Sequence, residues 1–210
     1  MDKIKASQFA DLAYYCRTPL SAYQQVEYLR GDGTQYIVTS ANNASDQTIH
    51  IKFRVITEGN GARLFYSGAS QIYINYNTSG GPWENYIFNN YAGAAVYGTA
   101  VQFEPSEIYT VIINPSTTLT VNNIDYANQV RYGGATTTRL FLLYGQSNDP
   151  AQSRLKGDIY EFSIAQGGSK IIDLIPCYRK SDSKPGMYDT VTNTFFTNSG
   201  TGEFTVGGNV

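Results

Sequence analysis

The chain has 210 residues and a formal net charge of −2, with 15% charged residues against roughly 25% in an average globular protein. No run of Lys or Arg exceeds two residues, so the basic stripe that a nucleic-acid partner requires is missing, and no stretch approaches the ~18 apolar residues of a membrane-spanning helix. Cys16 and Cys177 form no CxxC pair, and with His50 the single histidine a structural zinc site is disfavoured. The composition is weighted instead toward Gly (20) and Tyr (18), with abundant Asn, Thr and Ser. Tyr and Thr suit pleated sheets and Gly and Asn suit turns, which predicts an all-β chain.

The chain opens with "MDKIKASQFADLAYYCRTPL", which lacks the uninterrupted apolar core of a signal peptide. The expectation is a protein made in the cytoplasm that does not leave by that route, with both thiols free. Phe9, Leu12, Ala13 and Cys16 fall on one face at helical spacing, and Pro19 would end such a helix. This predicts a short amphipathic helix over 6–16 and a linker to about Gln24. Residues 1–24 then form an N-terminal segment and 25–210 the main domain. A helix this short needs a surface to lie on. Either it packs on the edge of its own domain, or it docks on a partner or on further copies through Phe9, Leu12 and Tyr15.

From Val26 the pattern is strand, turn, strand. In "QTIHIKFRV", Ile49, Ile51, Phe53 and Val55 alternate with His50, Lys52 and Arg54, the mark of an antiparallel strand with one buried and one wet face. "ARLFYSG" and "QIYINYN" read similarly, as do "EIYTVIIN" and "TLTVNNI", joined by Pro115-Ser116-Thr117 as a hairpin. "TRLFLLYG" reads as buried on both faces. In "GDIYEFSIAQGGSKIIDLIP", Tyr160, Phe162 and Ile164 are expected inward, with Gly167-Gly168 turning the chain. About a dozen short strands without a fixed repeat predict a sandwich or jelly roll.

The stretch 73–98, "YINYNTSGGPWENYIFNNYAGAAVYG", reads as loop-like and is rich in aromatic and amide groups. Trp83, Tyr86, Asn89 and Tyr91 are the candidate ligand-binding residues. Flat rings suit the C–H faces of sugars, and amides suit their hydroxyls. Packing inside a sandwich is the alternative use of Trp83.

The run "PCYRKSDSKPGMYDTVTNTFFTNSGTGEF" closes the domain. Pro185-Gly186 and Thr192-Asn193 are expected turns, with Tyr188, Phe195 and Phe204 as apolar plugs. Cys177, with no helix N-terminus or imidazolium near it in sequence, reads as a small buried hydrophobe rather than a nucleophile.

"YLRGDGTQYIVTS", "GDIYEFSI" and "IIDLIPCYRKSDSKPGMYDTVTNTFFTNSGTGEF" together resemble the concanavalin A-like lectin/glucanase superfamily. Most similar is the laminin-G-like branch found in phage tail, fibre and structural proteins and in surface proteins of gut bacteria. The resemblance covers about residues 26–206. It implies an antiparallel two-sheet jelly-roll sandwich, used to bind carbohydrate, to hydrolyse it, or merely to build a surface.

The hydrolases of that superfamily carry Glu-x-Asp-x-Glu on one strand, so that alternate carboxylates share a face and flank one glycosidic bond. No such run occurs here. Asp158 and Glu161, three apart, are expected on opposite faces of a strand, and Glu104 and Glu107 around a turn at Pro105. His50, mid-strand on the polar face, reads as solvated, a poor place for a triad. "QSNDP" and "RKSDS" carry oxygen ligands without a dense Asp/Asn series, so no metal ligands are named. No catalytic residue or cofactor is assigned.

These readings converge on a non-enzymatic phage virion component, a fibre, head fibre or decoration protein. It would be attached to other virion proteins through residues 1–24 and would display a lectin-like domain to host or environmental glycans. It would be a homo-oligomer, a trimer by analogy. The alternatives are a decoration protein without a ligand and a bacterial surface adhesin module.

Overall fold

The structure is a computed structural model of the 210-residue chain. It describes residues 19–44, 46–58, 62–67, 70–74, 86–91, 97–104, 106–114, 118–127, 134–140 and 155–210. The expected helix over 6–16, with Phe9, Leu12 and Tyr15, lies outside the described residues.

Among the described residues the chain folds into strands joined by turns, with a single 3-10 turn at Pro19–Ala22 and no α-helix. The strands are β1 (Tyr23–Gln25), β2 (Leu29–Gly31), β3 (Ile37–Asn43), β4 (Gln47–Glu58), β5 (Ala62–Ser67) and β6 (Ser70–Ile74). They continue as β7 (Tyr86–Tyr91), β8 (Tyr97–Gln102), β9 (Ile108–Ile113), β10 (Thr118–Val121), β11 (Ile124–Ala127) and β12 (Gly134–Leu140). The closing strands are β13 (Leu155–Gln166), β14 (Ser169–Arg179), β15 (Lys184–Asp189), β16 (Thr194–Thr197) and β17 (Thr205–Val206).

The strands form two sheets. The larger runs β11-β10-β9-β4-β13-β14-β15-β16, with β1 also paired to β14 and β2 to both β13 and β17; the smaller runs β3-β12-β5-β6-β7-β8. Every pairing is antiparallel. One apolar cluster draws on both sheets: Ile37, Ala41 and Leu64 from the smaller, and Ile49, Ile51, Phe53, Val111 and Ile164 from the larger. The inner face of β4 is the alternation read in the sequence. Its four apolar residues are at most 1% exposed, worth about 1.5–3 kcal/mol of transfer free energy each.

Residues 23 and 24, read as the end of a linker, belong with Gln25 to a strand. β1 pairs with β14, Tyr23 opposite Arg179 and Gln25 opposite Cys177. The Tyr23 ring packs 4.8 Å from Phe195 and 5.0 Å from Tyr188. The hairpin β9–β10 forms as expected, but "TLTVNNI" is two strands. Asn122 and Asn123 both have positive φ (47° and 67°) and turn β10 into β11, as a type I′ hairpin demands. Gly167 and Gly168, at φ 57° and 79°, do the same between β13 and β14.

The closing segment is a clasp, with one turn displaced from its expected place. The chain reverses at residues 180–183, where Ser183 has φ 56°. Pro185 and Gly186 lie inside β15, opposite Tyr178 and Cys177. Gly186 is required for packing, because a Cβ there would meet the Phe196 carbonyl oxygen and the Phe195 ring. The second turn falls at 190–193, organised by Asp189. That buried carboxylate accepts hydrogen bonds from the Asp173 N–H (2.9 Å), the Val191 N–H (3.1 Å) and the Thr192 hydroxyl (2.6 Å). Tyr188 and Phe204 are buried plugs, whereas Phe195 is half-buried. The Cys177 thiol is free and buried, and burial pushes it up to about 12, leaving almost no thiolate at neutral pH.

Candidate functional site

The outer face of the large sheet holds the chemistry, and a bulge in β13 arranges it. The register between β4 and β13 shifts between Ile159 and Glu161. Ile159 and Phe162 face the core, at 0% and 1% exposure, although they are three residues apart. The intervening Tyr160 and Glu161 both stand on the outer face, as a bulge allows when two residues oppose one on the partner strand. Tyr160, expected inward, is therefore half-buried on the outside. Asp158 and Glu161, expected on opposite faces, share one, opposite Arg54 and Lys52 of β4.

Asp158 ties neighbouring strands together. Its side chain is fully buried and is gripped from both neighbouring strands. Arg30 of β2 donates through Nε (2.5 Å) and Nη2 (3.0 Å), and Arg54 of β4 through Nε (2.8 Å) and Nη2. The Asp158 hydrogen bonds push both guanidinium pKa values further up. The Arg30 guanidinium lies 4.9 Å from the centre of the Tyr28 ring. Tyr28 packs edge-on to Tyr160, with ring centres 5.6 Å apart. A carboxylate so completely matched is an architectural tie.

Beyond the bulge the same face opens. β13 and β14 part at Phe162–Leu174. From there β14 runs beside β1 and β13 beside β2, so the segment 23–31 enters as a wedge. The fork leaves an open groove of about 680 Å³, within the roughly 300–1,000 Å³ of small-molecule sites. Tyr160, Gln25 and Glu27 line one side and Lys170 and Asp173 the other, over a floor of His50 and Ser163. The register explains that floor: Ile112, His50, Ser163 and Asp173 stand opposite one another across β9, β4, β13 and β14.

His50 is half-buried rather than freely solvated. Desolvation pushes its pKa down, partly countered by the Glu161 charge and reinforced by Lys170 and Lys52. Lys52 pairs loosely with Glu161 (3.4 Å), and Lys170 closely with Asp173 (2.8 Å). Asp173 also accepts from the Thr190 hydroxyl at 3.1 Å. The floor thus offers a neutral imidazole, a hydroxyl and an aromatic wall, with charges tied in pairs at the margins. Such a surface can hold a polyhydroxylated ring by stacking and hydrogen bonding.

The sequence-derived candidates belong to the stretch 73–98. Trp83 lies outside the described residues. Tyr86, Asn89 and Tyr91 belong to β7, a strand rather than a loop, with Tyr86 opposite Gln102, Asn89 opposite Ile72 and Tyr91 opposite Ser70. That strand sits in the smaller sheet, whereas the described lining of the groove comes mostly from the larger one. No group of three or more metal-ligating side chains occurs among the described residues. In "RKSDS" the Asp182 carboxylate is engaged by Arg179 (2.6 and 3.0 Å), which holds its pKa down to about 2. "QSNDP" lies outside the described residues.

Ser163, Lys170 and Asp173 are not among the sequence-derived candidates and Tyr160 is expected inward there, although the sequence carries a signal. "GDIYEFSI" has apolar residues at 159, 162 and 164, a break in the two-residue period that a bulge accommodates.

No protein-family model matches the chain, and no curated protein does. A crystal structure from Bacteroides ovatus, of a protein described as a "putative carbohydrate binding protein", is similar with a TM-score of 0.61 at 13% sequence identity. The similarity covers 88% of this chain and 60% of that one, so this chain spans about three-fifths of its neighbour's length. The likeness is one of fold. The class that fold and site define is an antiparallel two-sheet β protein with a polar groove on its larger sheet.

Proposed function

We propose that this chain is a carbohydrate-binding module whose ligand lies in the groove at the β13–β14 fork. The observation that carries the reading is the juxtaposition of Tyr160 with the His50–Ser163 floor. An aromatic wall stands beside hydrogen-bonding groups that the protein does not tie up in ion pairs. The description of the B. ovatus neighbour supports the same ligand class.

The finer picture belongs to the same proposal. The two sheets are read as a concanavalin A-like jelly-roll sandwich, with residues 25–210 as the domain and 1–24 as an attachment segment. The module is non-enzymatic, which the complete matching of Asp158 by two arginines favours. Its place is the surface of a phage particle, attached to other virion proteins as a homo-oligomer and exposed outside the cell. This rests on the resemblance carried by the closing segment. A second reading, a bacterial surface module, is favoured by the bacterial source of the structural neighbour.

The test is a binding screen of the full chain against a polysaccharide panel, with Tyr160→Ala and Trp83→Ala in parallel and folding checked by circular dichroism. Saturable binding lost in Tyr160→Ala and kept in Trp83→Ala is the expected result. Loss in Trp83→Ala alone moves the site to the stretch 73–98. Absence of binding by the folded protein contradicts the module.

A further inference from the structure

Because the groove lies among four cations, a preference for acidic sugars is the obvious guess; the pairing of those cations points the other way. Lys52 is matched by Glu161 across the β4–β13 register, and Lys170 by Asp173 on β14. Arg30 and Arg54 share Asp158, whose carboxylate is wholly removed from solvent. Glu27, on the wedge beside the groove, has no ion-pair partner among the described residues. Among the described residues the four cations are balanced by Glu161, Asp173, Asp158 and Glu27, so the groove carries no excess positive charge to draw an acidic ligand.

We infer that the groove discriminates against acidic glycans and takes uncharged ones. The inference rests on the carbohydrate-binding reading and names the ligand class of that same site. A carboxylated or sulfated sugar has to displace Glu161 from Lys52 or Asp173 from Lys170, and it meets Glu27 as it does so. Displacing Asp173 also breaks its bond with the Thr190 hydroxyl of the clasp. A neutral sugar stacks on Tyr160 and exchanges hydrogen bonds with Ser163 and His50 while leaving every pair intact. Burial lowers the His50 pKa from its ordinary value, which works against a cation at the imidazole. Rejection of a ligand through like charges and broken pairs is a common source of specificity.

The experiment titrates the full-length protein, at 20 and 300 mM NaCl, with neutral polysaccharides (a glucan, a mannan, a galactan) and acidic ones (polygalacturonate, chondroitin sulfate). The expected result is a preference of roughly tenfold or more for a neutral chain. Its affinity should change less than about twofold with salt, since no unscreened charge pair forms on binding. Glu161→Gln, which frees Lys52, is expected to raise binding of the acidic chains severalfold at 20 mM NaCl and to lose that gain at 300 mM. Glu27→Gln, at an exposed position, provides a second variant whose folding is not in question and is expected to shift preference the same way.

Wild-type protein that binds an acidic chain as tightly as a neutral one, with steep salt dependence, overturns the inference and leaves carbohydrate binding standing. Variants that bind acidic chains no better than wild type overturn the matched-charge argument. Folded protein that binds neither class overturns the carbohydrate-binding reading, and the inference falls with it.

Discussion

Along β4, Arg54 and His50 stand four residues apart on one face of one strand, yet their surroundings differ in kind. At Arg54 the neighbouring strands supply Asp158 and, one strand further, Arg30, and both oxygens of the Asp158 carboxylate find partners inside the protein. At His50 they supply Ser163 and Ile112, and the face is left for something else to cover. Between the two lies the bulge at Ile159–Glu161, which turns Tyr160 outward and places it at the border of both. The polar residues of one sheet face thus divide into those that hold strands together and those that remain available. Local pairing, rather than residue type, draws the line.

The largest expected effect comes from breaking the closed side. Asp158→Ala leaves two guanidinium groups facing each other without their carboxylate. It is expected to cost roughly 3 kcal/mol in chemical denaturation, since removing one partner of a buried ion network strands the others. Gly157→Ala attacks the same region through packing, because its Cβ would meet the Arg54 carbonyl of β4. A loss of about 1–3 kcal/mol is expected from prying the strands apart, with a shift of Tyr160 that also weakens ligand binding. A stability loss with binding untouched would show that the bulge does not position the groove.

Breaking the open side is expected to do the reverse. Ser163→Ala should change stability by less than about 1 kcal/mol, because the hydroxyl, on a residue only 8% exposed, makes no hydrogen bond to another described residue that its loss would strand. It should weaken carbohydrate binding several-fold in the same titration.

Two smaller effects follow from ionisation. His50 has a pKa lowered in the folded protein, so the folded state holds fewer protons than the unfolded one as pH falls. Its contribution to stability is complete above the unfolded value near 6.5 and is lost as pH drops through the lower folded value. His50→Asn should therefore flatten the stability profile below about pH 6.5, as read by urea denaturation across pH 4.5–7.5. Cys177, with its thiol near 12, should resist alkylation at pH 8 in a Cys16→Ser background and react fully in urea. Rapid labelling of the folded protein would mean that the clasp opens.

Much of the scaffold was legible in the sequence. The alternation in "QTIHIKFRV" and the Gly167-Gly168 turn stand where the pattern puts them, because burial of one sheet face imposes a two-residue period. The clasp was legible as a function of its aromatics but misread at Pro185-Gly186. The pair that ordinarily marks a turn is there a strand segment, its Gly chosen to admit the Phe195 ring. The groove was not legible, for two reasons. A bulge changes the face of every later residue without changing composition. The fork depends on residues 23–31 pairing with strands more than a hundred residues away, a contact that no local window contains.

The most direct test of the division is to map the ligand on the protein by 1H–15N chemical-shift perturbation with the tightest neutral oligosaccharide from the screen. The account predicts that shifts concentrate at Thr48, His50, Tyr160, Ser163 and Lys170, with Arg30 and Arg54 little moved. Shifts confined to residues 86–91, with the groove silent, would contradict it and place the ligand on the smaller sheet.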